Sequence, residues 1–154
     1  MNKTEKSEYI IGCISILANK LTQFGDDMLP DITFKQWFLL IMISKMDIQE
    51  KNINNIAEFV GTSRQNVKKM LTALEKKKYV IISKSTFDAR ALKVELTEKA
   101  YQYFYDNASI AEKETEKLFE QFSLDEIDNF IGNLEKLLNC LNSYREEEQG
   151  YDKN

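Results

Sequence analysis

The side chains best suited to chemistry fall within ten residues near the middle of the chain. This segment carries an arginine, two lysines, two carboxamides and two hydroxyls without a carboxylate: Ser63, Arg64, Gln65, Asn66, Lys68, Lys69 and Thr72. Guanidinium and ammonium groups neutralise phosphates, while arginine, glutamine and asparagine can form paired hydrogen bonds with base edges. A run of donors that excludes carboxylates is therefore typical of a surface that binds a nucleic acid duplex.

The same region is the basic part of an acidic chain. The whole chain has a net charge of −4, but the segment from Gly61 to Lys93 has nine basic and two acidic residues, a net charge of +7. The remainder has a net charge of −11. Most charge runs are only solvated surfaces. Positive charge concentrated in one segment between acidic ends, however, indicates where a polyanion such as nucleic acid would bind.

A basic β-hairpin, which we call the wing, is predicted directly after this segment. Residues 79–83 are β-branched and apolar, and residues 92–96 alternate between apolar and polar, which is the period of a strand. The side chains of the wing predicted to contact DNA are Lys84, Asp88, Arg90 and Lys93. An arginine at the tip can enter a narrow minor groove, where Asp88 would orient it or would only form a turn salt bridge.

Two amphipathic helices joined by a tight turn place the donor segment on one surface. Apolar residues recur at helical spacing from Ile53 to Val60, Gly61 ends this helix, and Ser63 begins the next. In the helix that Ser63 begins, positions 67, 70, 71 and 74 are apolar, so the donors lie on its solvent side. A helix-turn-helix followed by a basic hairpin predicts a winged helix-turn-helix.

Four further helices are predicted around this unit. The first runs from about Glu5 to Phe24, with Gly25 marking its exit. A capping box from Thr33 to Gln36 begins the second helix, which is predicted to be almost fully buried along Phe34, Trp37, Phe38, Ile41 and Met42. Thr97 caps a long helix whose apolar face starts with Tyr101, Phe104, Tyr105 and Ala108. Ser123 begins the last helix with a second capping box.

The predicted fold class is mainly α with a small β-hairpin wing. We expect a single protomer over residues 1–154, a winged helix-turn-helix core over 32–100, and helical dimerisation regions over 5–25 and 101–147. The apolar rows on the terminal helices lack enough elements of their own chain to cover them, which predicts a homodimer. Two-fold symmetry then predicts a near-palindromic site on double-stranded DNA.

Four segments of the chain resemble the MarR family of transcriptional regulators: residues 32–37, 52–67, 73–80 and 88–100. The last of them is the most telling, because it resembles the family's wing and the start of the following helix. The resemblance covers residues 32–100 by motif and the flanking helices by layout. It implies a ligand-responsive repressor that acts as a homodimer, in which the terminal helices of two chains interleave and each subunit presents one winged unit to DNA.

Three positions depart from the family pattern. In the family, glycine usually follows the helix that carries the donor residues, and Lys78 stands at that position. Because lysine with a positive φ costs about 1 kcal/mol, we expect this turn to differ from that of the family. Ala89 stands where a basic residue is common, which suggests fewer minor-groove contacts. Ala100 stands where glycine is common. None of these departures threatens the predicted fold.

The resemblance also suggests a signal that controls DNA binding. Proteins of this type often release DNA when a small aromatic or anionic effector enters a cleft between the dimer helices and the winged unit. Side chains that could line such a cleft are Trp37, Phe38, Tyr101 and Tyr105, although core packing is the commoner role of aromatic residues. Other members sense oxidants through a cysteine early in the first helix, where Cys13 stands; its place on an apolar face predicts a buried, inert thiol without a tyrosine to activate it.

The composition argues against an enzyme. The chain has no histidine and no glycine-rich phosphate loop, and Cys13 and Cys140 form neither a metal motif nor a disulfide framework. We therefore predict no catalytic residue, no metal and no cofactor. Without an apolar run of membrane-spanning length or a signal peptide, we predict a cytoplasmic protein with no membrane partner. A winged-helix module that binds proteins without DNA specificity is the remaining alternative.

Overall fold

The computed structural model describes residues 1–87 and 91–151, which form six helices and one two-stranded antiparallel sheet. In chain order the elements are α1 (Lys3–Met28), α2 (Phe34–Lys45), α3 (Ile53–Val60), α4 (Arg64–Lys76), β1 (Val80–Lys84), β2 (Leu92–Leu96), α5 (Glu98–Phe119) and α6 (Leu124–Tyr151). This order confirms the predicted fold class, which is mainly helical with a small β-hairpin after a helix-turn-helix.

The chain divides into two compact units, Met1–Ala111 and Glu112–Asn154. The first unit contains a single apolar core, to which α2, α3, α4, both strands and the start of α5 contribute buried side chains. The second contains the end of α5 and all of α6, where Phe119 and Phe122 contact each other with ring centroids 5.6 Å apart. Within the described residues, no helix combines the length and the apolar character that a membrane span requires.

Helix α1 is longer than predicted at both ends. It begins at Lys3 because Asn2 forms a capping box with Glu5, whose backbone N–H donates to the Asn2 side chain at 3.0 Å. It continues through Gly25, which was expected to mark its exit, and ends at Met28. Gly25 is buried against Phe34, and a Cβ at this position would overlap the Phe34 ring. The glycine therefore serves the close packing of α1 on α2 and does not end the helix.

Helix α2 begins at the predicted capping box. The Thr33 hydroxyl accepts a hydrogen bond from the Gln36 N–H at 3.3 Å, and the Thr33 N–H donates back to the Gln36 side chain at 3.1 Å. The prediction of a nearly fully buried helix is wrong: Leu39, Leu40 and Ile43 are buried, whereas Phe38 is 40% exposed. The sequence pattern was ambiguous because the seven consecutive positions 37–43 of this helix are all apolar.

Helices α3 and α4 form the predicted helix-turn-helix. Asn52 caps α3, and Gly61 ends it in the left-handed conformation with φ of 74°, which glycine adopts without steric strain. The two helices bury Ile56 and Ala57 from α3 against Val67, Leu71 and Leu74 from α4. Their packing fixes α4 as a rigid element with one buried face and one exposed face.

The wing is an antiparallel pair in which Val80 lies opposite Leu96 and Lys84 opposite Leu92. Strand β2 also contacts the loop between α2 and α3, because the Val94 N–H donates to the Lys51 carbonyl at 2.7 Å and Lys93 forms an isolated bridge with Asn52. The predicted hairpin tip lies partly outside the described residues, since Asp88, Ala89 and Arg90 are not among them.

The turn between α4 and β1 was expected to differ from the glycine turn of the family, but it has the same left-handed residue at its centre. Lys78 adopts the left-handed conformation with φ of 65°. The Lys78 N–H donates to the Glu75 carbonyl and the Tyr79 N–H to the Leu74 carbonyl, both at 2.9 Å, which is the Schellman arrangement. The Thr97 hydroxyl donates to the Lys78 carbonyl at 2.7 Å, so tertiary contacts hold the turn in spite of the lysine.

The buried face of α5 is rotated from the predicted one. Ala100, Tyr103 and Asn107 are buried, whereas Tyr101 and Tyr105 are exposed. Tyr103 determines this orientation, because its hydroxyl donates to the Pro30 carbonyl at 2.6 Å and its ring meets the Tyr79 ring edge-on. Aromatic residues at 101, 103, 104 and 105 give the helix two apolar faces, and the sequence did not distinguish them.

Candidate nucleic-acid interface

Helix α4 presents all of its predicted contact residues to solvent. The Ser63 hydroxyl accepts a hydrogen bond from the Asn66 N–H at 3.2 Å and so begins the helix. Every predicted contact of this segment is exposed: Ser63, Arg64, Gln65, Asn66, Lys68, Lys69 and Thr72. Val67 and Leu71 on the opposite face are fully buried. The core therefore holds the helix firmly while its polar face remains free of the core.

Besides Ser63, the side chains of Asn66 and Thr72 already form hydrogen bonds within the chain. The Asn66 side-chain amide donates to the Thr62 hydroxyl at 3.1 Å, and the Thr72 hydroxyl donates to the Lys68 carbonyl at 2.9 Å. A contact to a phosphate would require the Thr72 hydroxyl to change its donor direction, because a phosphate oxygen only accepts. Because the Asn66 amide already donates to Thr62, Gln65 is a stronger candidate than Asn66 for reading bases.

The carboxylate of α4 is turned toward the wing. Glu75 lies near the end of α4, and its Oε1 accepts a hydrogen bond from the Ile82 N–H in β1 at 3.1 Å. No sequence pattern indicated this contact, since it joins a helix to a strand across a turn. Its effect is to occupy a backbone donor of β1 and to tie the wing to α4.

The wing contributes two described basic residues with different surroundings. Lys84 is exposed at the end of β1. Lys93 forms an ion pair with Glu95, with 2.9 Å between Nζ and Oε2, and its side chain is 23% exposed. Because this pair offsets the lysine charge locally, Lys93 is a weaker candidate contact than Lys84. The other two predicted wing contacts, Asp88 and Arg90, lie outside the described residues.

A carboxylate that sequence reasoning missed holds the base of the wing. Glu50 lies in the loop between α2 and α3 and accepts hydrogen bonds from the Ser85 and Thr86 hydroxyls and, at 3.0 Å, from the Thr86 N–H. These bonds, first that from Ser85, lower the pKa of the Glu50 carboxyl below its ordinary value. The contact spans 35 residues of sequence, so no local pattern could have revealed it.

A second polar cluster joins the turn before α2 to the end of α4 and to α5. The Tyr79 hydroxyl donates to the Asp31 carboxylate at 2.6 Å, which lowers the pKa of that carboxyl, and Lys77 pairs with it at 3.3 Å. The Lys99 ammonium lies 4.3 Å from the centre of the Tyr79 ring. Burial raises the pKa of Tyr103 to about 12 and raises that of Tyr79 as well. These contacts hold the turn before α2 against the end of α4 and the start of α5.

The predicted effector residues lie in different surroundings. Phe38 lines a cavity of about 210 Å³ together with Phe34, Lys35, Val60, Thr62, Asn66 and Met70. Tyr101 lines another cavity, of about 430 Å³, whose wall includes Glu50 and Lys93. Trp37 is half-buried and stacks on Phe34 with ring centroids 5.7 Å apart. Tyr105 is 80% exposed.

Cys13 is exposed on the single chain, so no part of its own chain buries the thiol. Tyr9 lies one helical turn before it, and a hydrogen bond with the Cys13 side chain is the main cause that raises the pKa of the Tyr9 hydroxyl. The sequence analysis expected no tyrosine to activate this thiol; the contact shown acts on the Tyr9 hydroxyl. The i, i+4 spacing of the two residues was a signal that the sequence offered. Cys140 is exposed on α6.

No protein-family model and no curated protein matches this sequence. Solved structures do match. A MarR/EmrR family transcriptional regulator from Acinetobacter sp. ADP1 has 23% identity and a TM-score of 0.76 over 89% of this chain and 97% of its own. MepR of S. aureus, in a complex with DNA, has 24% identity and a TM-score of 0.71 over 84% and 94%. A mutant of MarR from E. coli, in a complex with operator DNA, has 18% identity and a TM-score of 0.77 over 90% and 99%. At these identities the likeness establishes a shared winged-helix fold.

Proposed function

We propose that this chain is a transcriptional regulator of the MarR type that binds double-stranded DNA through α4 and the wing. The observation that carries the proposal is the exposed face of α4, which presents arginine, glutamine and lysine side chains from a helix whose other face is buried. Two of the structures with the same fold contain DNA, which supports this use of the fold.

In this proposal α4 enters the major groove with its N-terminal turn leading. Arg64 and Gln65 read base edges, and Ser63 and Asn66 lie beside them at the helix start. Lys68, Lys69 and Thr72 contact the phosphate backbone and set the register of the helix. The wing reaches the flanking duplex through Lys84 and Arg90, with Asp88 and Lys93 as supporting groups.

The proposed active form is a homodimer. Several large apolar side chains of α1 are exposed, among them Tyr9, Ile10, Ile11, Ile16 and Leu17, and α6 exposes Phe130, Ile131, Leu138, Leu141 and Tyr144. Rows of this kind on long helices are covered in stable proteins by a partner surface. A second copy of the chain offers the same rows, and its two-fold symmetry calls for a near-palindromic site with half-sites about 34–36 Å apart.

We further propose that an effector controls DNA binding and that the bound protein represses transcription. The cavity beside Phe38 supports a small aromatic or anionic effector, because Phe34, Val60 and Met70 supply apolar walls and Lys35 supplies a positive charge. The same cavity includes Asn66 at the start of α4. A molecule bound there would therefore contact the DNA-binding helix directly and alter its affinity.

The decisive experiment selects bound fragments from random genomic DNA and measures affinity for the selected duplex as salt is varied. With about six to eight phosphate contacts, the logarithm of the binding constant should fall with a slope of about −0.9 per contact. Lys68→Ala should weaken binding to every sequence and reduce the slope, whereas Gln65→Ala should relax preference at particular base pairs. Lys136→Ala makes the same charge change on α6 and should leave both quantities unchanged.

Absence of preference for any duplex over mixed competitor at low salt would contradict the proposal. It would instead favour the alternative of a winged-helix module that binds proteins. Such a surface should carry apolar or aromatic anchors, and the exposed face of α4 carries amides, hydroxyls and lysines.

An oxidant-sensing regulator is the second candidate, and it rests on the place of Cys13 beside Tyr9 on α1, the helix proposed to pair with the partner. Oxidation of the thiol by peroxide to a sulfenic acid would add a polar group to the apolar row of α1. Peroxide should then release wild-type protein from DNA but not the Cys13→Ser variant. Equal DNA binding before and after peroxide treatment would eliminate this candidate.

A further inference from the structure

An acidic side chain from the loop between α2 and α3 binds the end of β1. Glu50 accepts hydrogen bonds from the hydroxyls of Ser85 and Thr86 and from the Thr86 N–H at 3.0 Å. Ser85 Oγ also accepts a hydrogen bond from the Phe87 N–H at 3.1 Å. These groups lie where the chain leaves β1 and enters the hairpin tip, so Glu50 constrains the entry to the tip.

At the same exit the Ser85 N–H donates to the Ala91 carbonyl at 3.0 Å across the hairpin, and the other contacts of the wing constrain different parts of it. Backbone bonds to Lys51 and Asn52 hold β2, and Glu75 holds the middle of β1 at Ile82. Ser85 follows Lys84, the exposed lysine proposed to contact DNA. The Ala91 bond pairs Ser85 with the opposite side of the hairpin, and the contact with Glu50 ties the same exit to the loop between α2 and α3.

Charge alone would make Glu50 unfavourable for DNA binding. A carboxylate beside a polyanion weakens association, and Glu50 lies in a loop next to the basic wing. Its hydrogen bonds give it an opposing role, because its two oxygens accept from all three donors and its charge strengthens each of these bonds. A glutamine at this position would offer one acceptor oxygen and turn an NH₂ group toward groups that also donate.

We infer that Glu50 is a positioning residue for DNA binding, which holds the entry of the wing so that Lys84 and the residues after it reach the duplex. The inference rests on the proposed function and adds a residue that opposes DNA by charge but promotes binding by geometry. Removal of this charge therefore distinguishes the two roles: DNA affinity should rise if Glu50 acts only by charge and fall if it positions the wing.

The test compares Glu50→Gln with Asp47→Asn on the duplex that the wild-type protein selects. Both substitutions remove one negative charge from the same loop, and Asp47 is exposed. Asp47→Asn should bind as well as wild type or slightly more tightly. Glu50→Gln should bind roughly tenfold more weakly, because it loses charge-assisted hydrogen bonds that order the wing. Its salt slope should also fall by about 0.9 for each phosphate that the variant no longer reaches, which reduced stability alone would not cause.

A second variant approaches the same contact from the wing. Ser85→Ala combined with Thr86→Val removes both hydroxyl donors and should weaken binding in the same direction, and it provides the test if Glu50→Gln does not fold. All three substitutions together should weaken binding no more than the stronger variant does, because both disrupt one contact. Unchanged or tighter binding by Glu50→Gln, or full additivity, would overturn the inference. Failure of the wild-type protein to prefer any duplex would overturn the proposed function instead.

Discussion

Lys78 shows how tertiary contacts can impose a conformation that its residue type disfavours. It occupies the left-handed region with φ of 65°, and hydrogen bonds from the helix end and from Thr97 surround it. A sequence reading that assigns the turn by residue type alone expects glycine here or a different turn. The turn keeps its left-handed conformation although lysine is strained in it, so a residue without this strain at position 78 should increase the free energy of unfolding.

Lys78→Gly should therefore stabilise the protein. The left-handed strain of a side chain is about 1–2 kcal/mol, and the extra flexibility of glycine in the unfolded chain offsets about 0.4–1 kcal/mol of it. Urea unfolding should show a net gain of about 0.5–1 kcal/mol. Lys69→Gly, in the interior of α4, is the matched control and should lose about 1 kcal/mol. A loss of stability in Lys78→Gly would contradict this account.

The raised pKa of Tyr103 predicts how the stability of the fold changes at alkaline pH. Its pKa is raised from 10 to about 12, mainly by burial, so the folded state favours the neutral phenol. The unfolded chain loses this proton at lower pH, and the stability that is fully present below pH 10 should decline as pH rises through about 12.

The measurement is the free energy of unfolding in urea at a series of pH values above 9. Tyr103→Phe should reduce the decline, and Tyr79, whose pKa is also raised, should account for part of what remains. The variant should also be less stable at neutral pH by about 1 kcal/mol, because the hydrogen bond to the Pro30 carbonyl is removed. Tyr105→Phe changes an exposed phenol and should decline as wild type does. Parallel curves for Tyr103→Phe and wild type would refute the assignment.

The residues that the sequence revealed are those whose signal is local. Caps at Thr33, Asn52 and Ser63 act on the helix that follows them, and the apolar stripe of α4 needs only its own helical period. Glu50 and Asp31 could not be found in this way. Their partners lie 35 to 48 residues away, and only the completed fold brings them together.

At the scale of elements, the packing of α1 on α2 depends on a residue without a side chain. Gly25 lies within α1 and is buried beneath the Phe34 ring. Its helical backbone needs no glycine, so the reason for glycine here is the close approach of the two helices. A glycine near a helix end reads as a stop signal in a sequence, which explains why the end of α1 was misplaced.

Gly25→Ala should consequently destabilise the protein, although alanine is the better helix former. The added methyl group would force α1 and α2 apart or displace the Phe34 ring, with an expected loss of about 1–3 kcal/mol in thermal or urea unfolding. Gly12→Ala lies in the same helix and meets no atom of this chain within 4 Å. This control should be neutral or more stable by up to about 1 kcal/mol. Equal effects of the two substitutions would disprove the packing argument.

At the scale of the whole molecule, the order of elements followed from the sequence but the facing of the long helices did not. The change from helical to strand period after Tyr79 indicated the hairpin, and the turn at Gly61 indicated the helix-turn-helix. The buried side of α5 depended on which of several aromatic residues finds a partner, which is a matter of three-dimensional packing. The exposed apolar rows of α1 and α6 raise the same question for a partner chain.

The proposed homodimer predicts a particle of twice 18.0 kDa in light scattering. Ile10→Asp places a charge in the apolar row of α1, and because Ile10 is 51% exposed, the fold of the single chain should tolerate it. The variant should dissociate to 18.0 kDa and lose affinity for DNA. Asn19→Asp adds the same charge on the opposite side of α1 and should remain a dimer. A monomeric wild type that still binds DNA would refute the pairing.

The bare apolar rows of α1 and α6 have a consequence for gene dosage. Under the proposed pairing, while most chains are single, mass action makes the abundance of paired protein rise with the square of the amount synthesised. Halving production would then leave about a quarter of the competent form. A promoter read by such a protein would answer modest changes in the supply of the regulator with disproportionately large changes in output.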